Sequence, residues 1–189
     1  ILRYQSMVVQ GTSRISKDKN MRHFIKSSIA LLTICLLVSG CYNPDLESTW
    51  ARGTQLRLGV GTLQTVDQVS FTLNGTTRII RPEPGKMIAA LPVQIVNDRT
   101  GKALLFVDER SAVLRDVNSR SYSPIDPFSR SVETPGPADT EKKFTPFLWG
   151  NFSLEQNFEV GGWLIFEVPP DRDWLELEWR QGDLIIARF

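Results

Sequence analysis

Side chains able to do acid–base or metal chemistry are unevenly spread along this chain of 189 residues. The single histidine is His23, so residues 41–189 contain none. This excludes Ser-His-Asp catalysis, Cys-His catalysis and histidine-ligated zinc from that part of the chain. Carboxylates and serines remain there, but no Ser-x-x-Lys arrangement, phosphate-binding glycine loop or metal motif accompanies them. We therefore expect a protein that is not an enzyme, and a hydrolase built on carboxylates or serine is the less favoured alternative.

Charge separates the chain into two parts. Residues 1–40 carry six Lys or Arg and one acidic residue, whereas residues 41–189 carry sixteen and twenty, a net charge of −4. Nucleic-acid binding requires clustered Lys and Arg to neutralise phosphates, so this mildly acidic part argues against a nucleic-acid partner. The hydrophobic fraction of 41% is sufficient for one packed domain.

Cys41 ends the segment whose sequence pattern is most specific. Met21 begins a short positively charged stretch, an uncharged run follows from Ile29 to Val38, and Ser39-Gly40-Cys41 completes the segment. A charged start, an apolar run of about 7–15 residues and small residues at its end are typical of a secretory signal peptide. The run is too short for a transmembrane helix, which needs roughly 20 apolar residues.

Val38-Ser39-Gly40-Cys41 resembles the lipobox of bacterial lipoproteins. The resemblance implies that a signal peptidase cuts between Gly40 and Cys41, and that the Cys41 thiol then carries a diacylglycerol with palmitate-type acyl chains. An ordinary cleavage site beside an unrelated cysteine is the alternative. Because Tyr42 rather than Asp follows the cysteine, the resemblance favours the outer membrane, facing the periplasm, if the host is Gram-negative.

These patterns divide the chain into four segments. We expect residues 1–20 to be a non-native upstream extension, because the signal peptide begins at Met21. Residues 21–40 are the predicted lipoprotein signal peptide, and residues 41–53 are a polar, lipidated tether. Residues 54–189 are the predicted folded domain. Cys35 lies in the signal peptide and Cys41 is lipidated, so we expect no disulfide in the mature protein.

The predicted domain contains repeated period-two alternation of apolar residues. Leu56, Leu58 and Val60 alternate with other residues, and a second such run ends at the turn dipeptide Asn74-Gly75. No window of this domain carries a convincing helical stripe. Short strands with frequent turns predict an all-β sandwich of about seven to eight strands.

Three motifs follow one another in this domain. They are Leu91–Asn97 with Thr100–Leu104, then Val113–Asp116 continuing to Tyr122, and finally Gly162–Pro169. Their order resembles the telokin-like, immunoglobulin-like domains of many bacterial secreted proteins and lipoproteins, a family of unknown function. The resemblance implies an immunoglobulin-like β-sandwich over residues 54–189 and supplies no catalytic residues. The sequence departs from the family at Ser119, where Gly is usual, and at Gln156-Asn157, where a Pro-Gly-type turn is usual.

Tryptophans are the candidate contacts for a ligand or a partner. Trp163 and Trp149 could stack on sugar rings or anchor a protein, whereas Trp179 alternates with charged residues and is predicted to lie in the core. The acidic residues near the C-terminus could bind Ca²⁺ but lack the spacing of a dedicated calcium loop, so a solvated strand face is favoured. These residues are Glu167, Asp171, Asp173, Glu176, Glu178 and Asp183.

The segment from Ser123 to Pro146 is a long loop with five prolines. Such a loop is usually either functional or disordered, and disorder is the favoured interpretation. The function we expect is a non-catalytic binding or protein-interaction module, held on the membrane by the lipid of Cys41, with an envelope protein as its partner and no cofactor. The alternative is a lipoprotein that binds a small ligand, namely a glycan, a peptidoglycan fragment or a cation.

Overall fold

The structure is a computed structural model that describes residues 49–139 and 144–189. These residues contain no helix and form fourteen strands, all paired in antiparallel fashion. The strands are β1 (Thr49–Arg52), β2 (Leu56–Val60), β3 (Gln64–Val66), β4 (Val69–Leu73), β5 (Thr76–Ile80), β6 (Met87–Asn97), β7 (Lys102–Val107), β8 (Ala112–Asp116), β9 (Ser121–Tyr122), β10 (Val132–Glu133), β11 (Gly150–Glu155), β12 (Glu159–Val168), β13 (Trp174–Trp179) and β14 (Ile185–Arg188).

The long strand β6 lies at the centre of a five-stranded sheet. Strand β12 pairs along one edge of β6, while β2 and β3 share the other edge and β1 extends the sheet beyond β2. Pro92 lies where the pairing of β2 has ended at Val93 and that of β3 has not yet begun at Ala90. A residue without an N–H is tolerated inside this central strand because it falls at the gap between two short partners.

The main core is the cluster between this sheet and two smaller ones. Those are the four-stranded sheet β14-β13-β8-β9 and the two-stranded sheet β11-β7. Leu91, Val93 and Ile95 of β6 are buried there together with Leu114 and Trp179. The predicted all-β sandwich is therefore confirmed, and the period-two alternation correctly identifies the inward residues of β6.

A second core covers the opposite face of β6 and β12. We call the elements on that face the outer layer, defined as β4, β5, β10 and the segments 123–131 and 144–147. The second core consists of Val66, Val69, Phe71, Ile80, Ile88, Ala90, Phe144 and Ile165. Alternate residues of β6 and β12 thus enter different cores, which explains why both strands are apolar on both faces.

Two segments differ from the sequence prediction. Strand β1 lies inside residues 41–53, the predicted tether, and pairs with β2. The proline-rich loop is structured over its described residues: Val132 and Glu133 pair with Ile79 and Arg78 of β5. The interpretation of the loop as disordered is therefore wrong for residues 123–139 and 144–146. With these two strands, the short strands β3 and β9, and the longer strands β5 and β11, the described residues contain fourteen strands where seven or eight are expected.

Strand β13 contains an irregularity that shifts its alternation. The register between β13 and β8 slips between Trp174 and Glu176. As a result Leu175, which is two residues before the buried Leu177, is exposed, whereas Trp174 packs against the main core. A β-bulge adds one residue to one strand and so exchanges the faces of the residues before it.

Candidate functional site

The predicted lipidation and cleavage residues lie outside the described residues. Cys41, Gly40, the signal peptide 21–40, the upstream segment 1–20 and tether residues 41–48 belong to this group. They stay predictions of the sequence. Among the residues that the structure does describe, no helix is both long and apolar enough to cross a membrane.

Trp163 is positioned by a close approach of two backbone segments. The backbone N–H of Trp163 donates to the carbonyl of Pro146 at 2.9 Å, and its backbone carbonyl accepts from Leu148 N at 3.0 Å. Gly162 makes this approach feasible, since a Cβ at that position would lie 2.8 Å from both Leu148 N and Pro146 O. The Gly-Trp pair therefore locks the end of the proline-rich loop onto β12.

The indole of Trp163 belongs to the edge of the second core. It meets the buried ring of Phe144 edge to face, with ring centroids 5.0 Å apart, and remains half-buried. Trp149 is also half-buried, and no ring contact joins it to Trp163 in the described part of the chain. Trp163 therefore packs on the second core, while part of its surface stays exposed.

The described part of the proline-rich loop is held by specific polar contacts. Ile125 N donates to the carbonyl of Ile165 at 2.8 Å, and the Asp126 carboxylate accepts from Phe128 N at 2.8 Å. Arg130 Nη2 lies 2.7 Å from Glu167 Oε2. The Arg78 guanidinium donates to the hydroxyl and the carbonyl of Ser131. These contacts fix the loop surface while leaving Phe128 and Val132 exposed.

Three of the six acidic residues near the C-terminus form ion pairs with basic partners. Glu167 pairs with Arg130 and Lys86, and Glu176 and Glu178 share Arg115. The hydrogen bonds from Arg115 and Arg180 hold the pKa of Glu178 below its usual value. Within residues 49–139 and 144–189, no group of three or more His, Cys, Asp or Glu is arranged to hold a metal ion. Glu176 and Glu178 therefore belong to a network of ion pairs on β13 with Arg115, Arg180 and Arg188.

Asp183 has a different role from the other acidic residues. Its carboxylate oxygen Oδ2 accepts hydrogen bonds from Gln55 N at 2.7 Å and Leu56 N at 3.1 Å. It thereby joins the turn before β14 to the start of β2, more than 120 residues earlier. Such charge-assisted bonds to backbone N–H groups fix position, which is a structural function.

Asp116 is a buried carboxylate inside a turn. Burial raises the pKa of Asp116, but hydrogen bonds from Arg120 N, Tyr122 Oη and Asn118 N outweigh it, so that the pKa lies below its usual value. The bonds measure 2.8, 3.2 and 2.9 Å respectively. The carboxylate therefore stays ionised and organises the turn between β8 and β9, and Tyr122 in turn packs edge to face on Trp174 at 5.7 Å.

A surface pocket lies where the described chain begins. It has a volume of about 330 Å³ and is lined by Thr49, Val60, Gly61, Thr62, Leu63, Trp174 and Phe189. Sequence reasoning missed this site, because the bulge in β13 turns Trp174 toward it and the alternation pattern carries no sign of that bulge. Phe189 and Leu63 come from segments 126 positions apart, so no local motif connects them.

No family profile matches the sequence, and no curated protein matches it. Among solved structures, the chain is similar to one from Bacillus subtilis subsp. subtilis str. 168, described as a "putative lipoprotein (ycdA)". The TM-score is 0.45 and the identity 15%, and the match covers 76% of this chain and 39% of the other. This likeness is too distant to assign a family or a function.

Proposed function

We propose that the protein is a lipid-anchored, non-catalytic binding module of the bacterial cell envelope. The observation that carries the proposal is the sequence Val38-Ser39-Gly40-Cys41 at the end of an uncharged run of ten residues. The thiol of Cys41 is the group that lipoprotein lipidation would alkylate, and the small residues Ser39 and Gly40 would fit the site of a signal peptidase. Attachment through several acyl chains is effectively permanent, since each buried methylene contributes about 0.8 kcal/mol.

The domain that follows the anchor is the binding part in this proposal. It belongs, we propose, to the telokin-like, immunoglobulin-like class that the three motifs resemble. Both departures from that class occur at positive φ: Ser119 has φ of 62° and Asn157 has φ of 66°. Because this region of backbone space favours Gly, the turns keep the geometry that the usual glycines would give.

The outer layer is the surface proposed to contact a protein partner of the envelope. Val132 of β10 is 56% exposed on the rim of a three-stranded sheet, and Phe128 is exposed beside it in the loop. Ion pairs and hydrogen bonds of Arg130 and Arg78 hold this part of the loop in one conformation. A fixed apolar surface can bind a partner with little loss of conformational entropy.

The test combines membrane fractionation with partner capture. Cys41→Ala should move the folded protein from the membrane to the soluble fraction, and a variant that stays in the membrane after a high-salt wash would contradict the anchor. Crosslinking in cells with the full lipidated chain, followed by mass spectrometry, should then recover a discrete partner.

A matched pair of variants locates the contact. Val132→Asp should lose the partner, whereas Leu104→Asp, at a 72% exposed position on β7, should keep it. Equal recovery with both variants would contradict the proposed surface. Replacing the whole loop is unsuitable as a control, because that change would also remove the buried Phe144.

A further inference from the structure

We infer that the side of the sandwich around Trp174 and Phe189 rests on the lipid bilayer. The inference rests on the proposed function, because the lipid of Cys41 is what holds the domain beside a membrane. It assigns the surface pocket to the interfacial region of that membrane, and neither to a protein partner nor to a soluble ligand.

The length of the tether restricts which side of the domain can face the bilayer. Cys41 and Thr49 are separated by eight residue steps, and an extended chain of that length spans at most about 28 Å. A domain of about 140 residues has a radius of gyration of about 14 Å, which corresponds to roughly 36 Å across. Since the tether is shorter than the domain is wide, Thr49 stays near the membrane. Thr49 itself lines the pocket.

The side chains around this entry point are apolar and partly exposed. Phe189 N donates to Leu175 O at 3.1 Å and Val117 N donates to Asp173 O at 3.0 Å, so the ends of β8, β13 and β14 lie side by side. Val117, Leu175 and Phe189 are between 39% and 54% exposed. Trp174 lies among them, half-buried against the main core. Phe189 also lines the pocket, to which Thr49 and Thr62 contribute polar groups, so apolar side chains and a partly polar pocket lie next to each other here.

The chemistry of this surface suits the boundary between head groups and acyl chains. Trp carries an apolar ring with one polar N–H, and aromatic side chains are enriched at both interfaces of membranes. The positive charges of Arg120 and Arg172 interact electrostatically with Tyr122, whose ring packs on Trp174. The acidic residues Asp171 and Asp173 precede Trp174 in the sequence, so both signs of charge occur near this surface. With both charge signs present, the contact depends on apolar burial and should be insensitive to salt.

The experiment measures the proximity of single labelled positions to lipid. Full-length lipidated protein is reconstituted into vesicles of phosphatidylethanolamine and phosphatidylglycerol, part of which carries spin-labelled acyl chains. Val117→Cys and Leu175→Cys carry a fluorophore on the tested surface. Phe158→Cys and Leu184→Cys are the controls, because these side chains are 64% and 65% exposed. They immediately precede β12 and β14, at the end of the sandwich where β2 begins.

Labels at 117 and 175 should be quenched at least about threefold more strongly than labels at 158 and 184, since interfacial contacts reach about 5–10 Å into the membrane. The difference should persist when the salt concentration is raised from 0.1 to about 0.5 M. Equal quenching at all four positions, or stronger quenching at 158 and 184, would overturn the inference.

A failure of the anchor and a failure of the docking surface give different results. Mass spectrometry of the N-terminal peptide and flotation with vesicles report lipidation independently of the labels. An unlipidated protein that does not float refutes the proposed function as well. A lipidated, floating protein with equal quenching at all positions refutes only the docking of this surface.

Discussion

The main core and the second core lie on opposite faces of the same two strands, β6 and β12. The main core is largely aliphatic around Trp179 and is enclosed by regular sheets on both sides. The second core is closed on its outer side by one hairpin, a two-residue strand and irregular chain. Its rings meet edge to face, with Phe71 and Phe147 at 4.8 Å and Phe144 and Trp163 at 5.0 Å.

Irregular segments can thus enclose a core when they supply large aromatic side chains, even where few backbone hydrogen bonds pair them with strands. Phe147 and Leu148 are adjacent in sequence, yet Phe147 packs on the second core and Leu148 lies in the main core. One short segment therefore connects the two clusters. Local opening is expected first where backbone pairing is sparse, which is the outer layer.

The largest effect is expected in the main core. Trp179→Ala should lower the free energy of unfolding by about 3–5 kcal/mol, because it removes a fully buried indole and leaves a cavity. The indole N–H also donates to Gln181 O at 2.7 Å, a bond that is lost. Urea unfolding monitored by circular dichroism measures the change. A loss below about 1 kcal/mol would mean that the main core repacks around the cavity.

A smaller and more local effect is expected in the second core. Phe144→Ala should lower the free energy of global unfolding by about 2–3 kcal/mol, since the outer layer can open without the rest. Hydrogen exchange should increase in β4, β5 and β10 and stay unchanged in β13. Val132→Ala, at a side chain of the same layer that is 56% exposed, is the control and should change little. Faster exchange in β13 for Phe144→Ala would show that the two cores unfold together.

The smallest effect concerns the turn organised by Asp116 and depends on pH. The folded pKa of Asp116 is below its usual value, so its ionised form contributes stability above the unfolded pKa of about 3.9. That contribution is lost as the pH falls through the folded pKa. The stability advantage of the wild type over Asp116→Asn should therefore be constant from pH 7 to 5 and narrow below about pH 4.

Urea unfolding at intervals from pH 7 to 2 measures this advantage. Tyr122→Phe removes only one of the three hydrogen bonds to the carboxylate. This variant should therefore reduce the pH-dependent part of the stability advantage without abolishing it. An advantage that is unchanged down to pH 2 would show that the carboxylate does not act through its ionised form.

The fold could be predicted where apolar residues recur at every second position of a strand and where a turn dipeptide joins two strands. Leu56, Leu58 and Val60 illustrate this, as does the hairpin at Asn74-Gly75, where both residues have positive φ. The outer layer could not be predicted, because its contacts join Phe144 to Phe71 and Ile165 through irregular chain. The bulge at Trp174 likewise leaves no local sequence pattern.

The candidate sites were harder to predict than the fold. Trp163 is a candidate contact by residue type, but the second face of β12 is also covered. The burial of Trp163 on that face depends on Phe144, which lies in a loop about 20 residues earlier in the chain. The pocket around Thr49 and Phe189 depends on segments from both ends of the domain, which no spacing rule connects.

The hydrogen bonds that Gln55 N and Leu56 N donate to the Asp183 carboxylate constrain the order in which the chain can fold. Synthesis delivers the chain from its N-terminus, so β1 and β2 emerge well before β14. Their hydrogen-bond acceptor arrives about 127 residues later. The backbone N–H groups at the start of β2 therefore lack this acceptor until the turn before β14 has been synthesised. Closure of the sandwich is consequently a late step, and its rate is limited by long-range contacts.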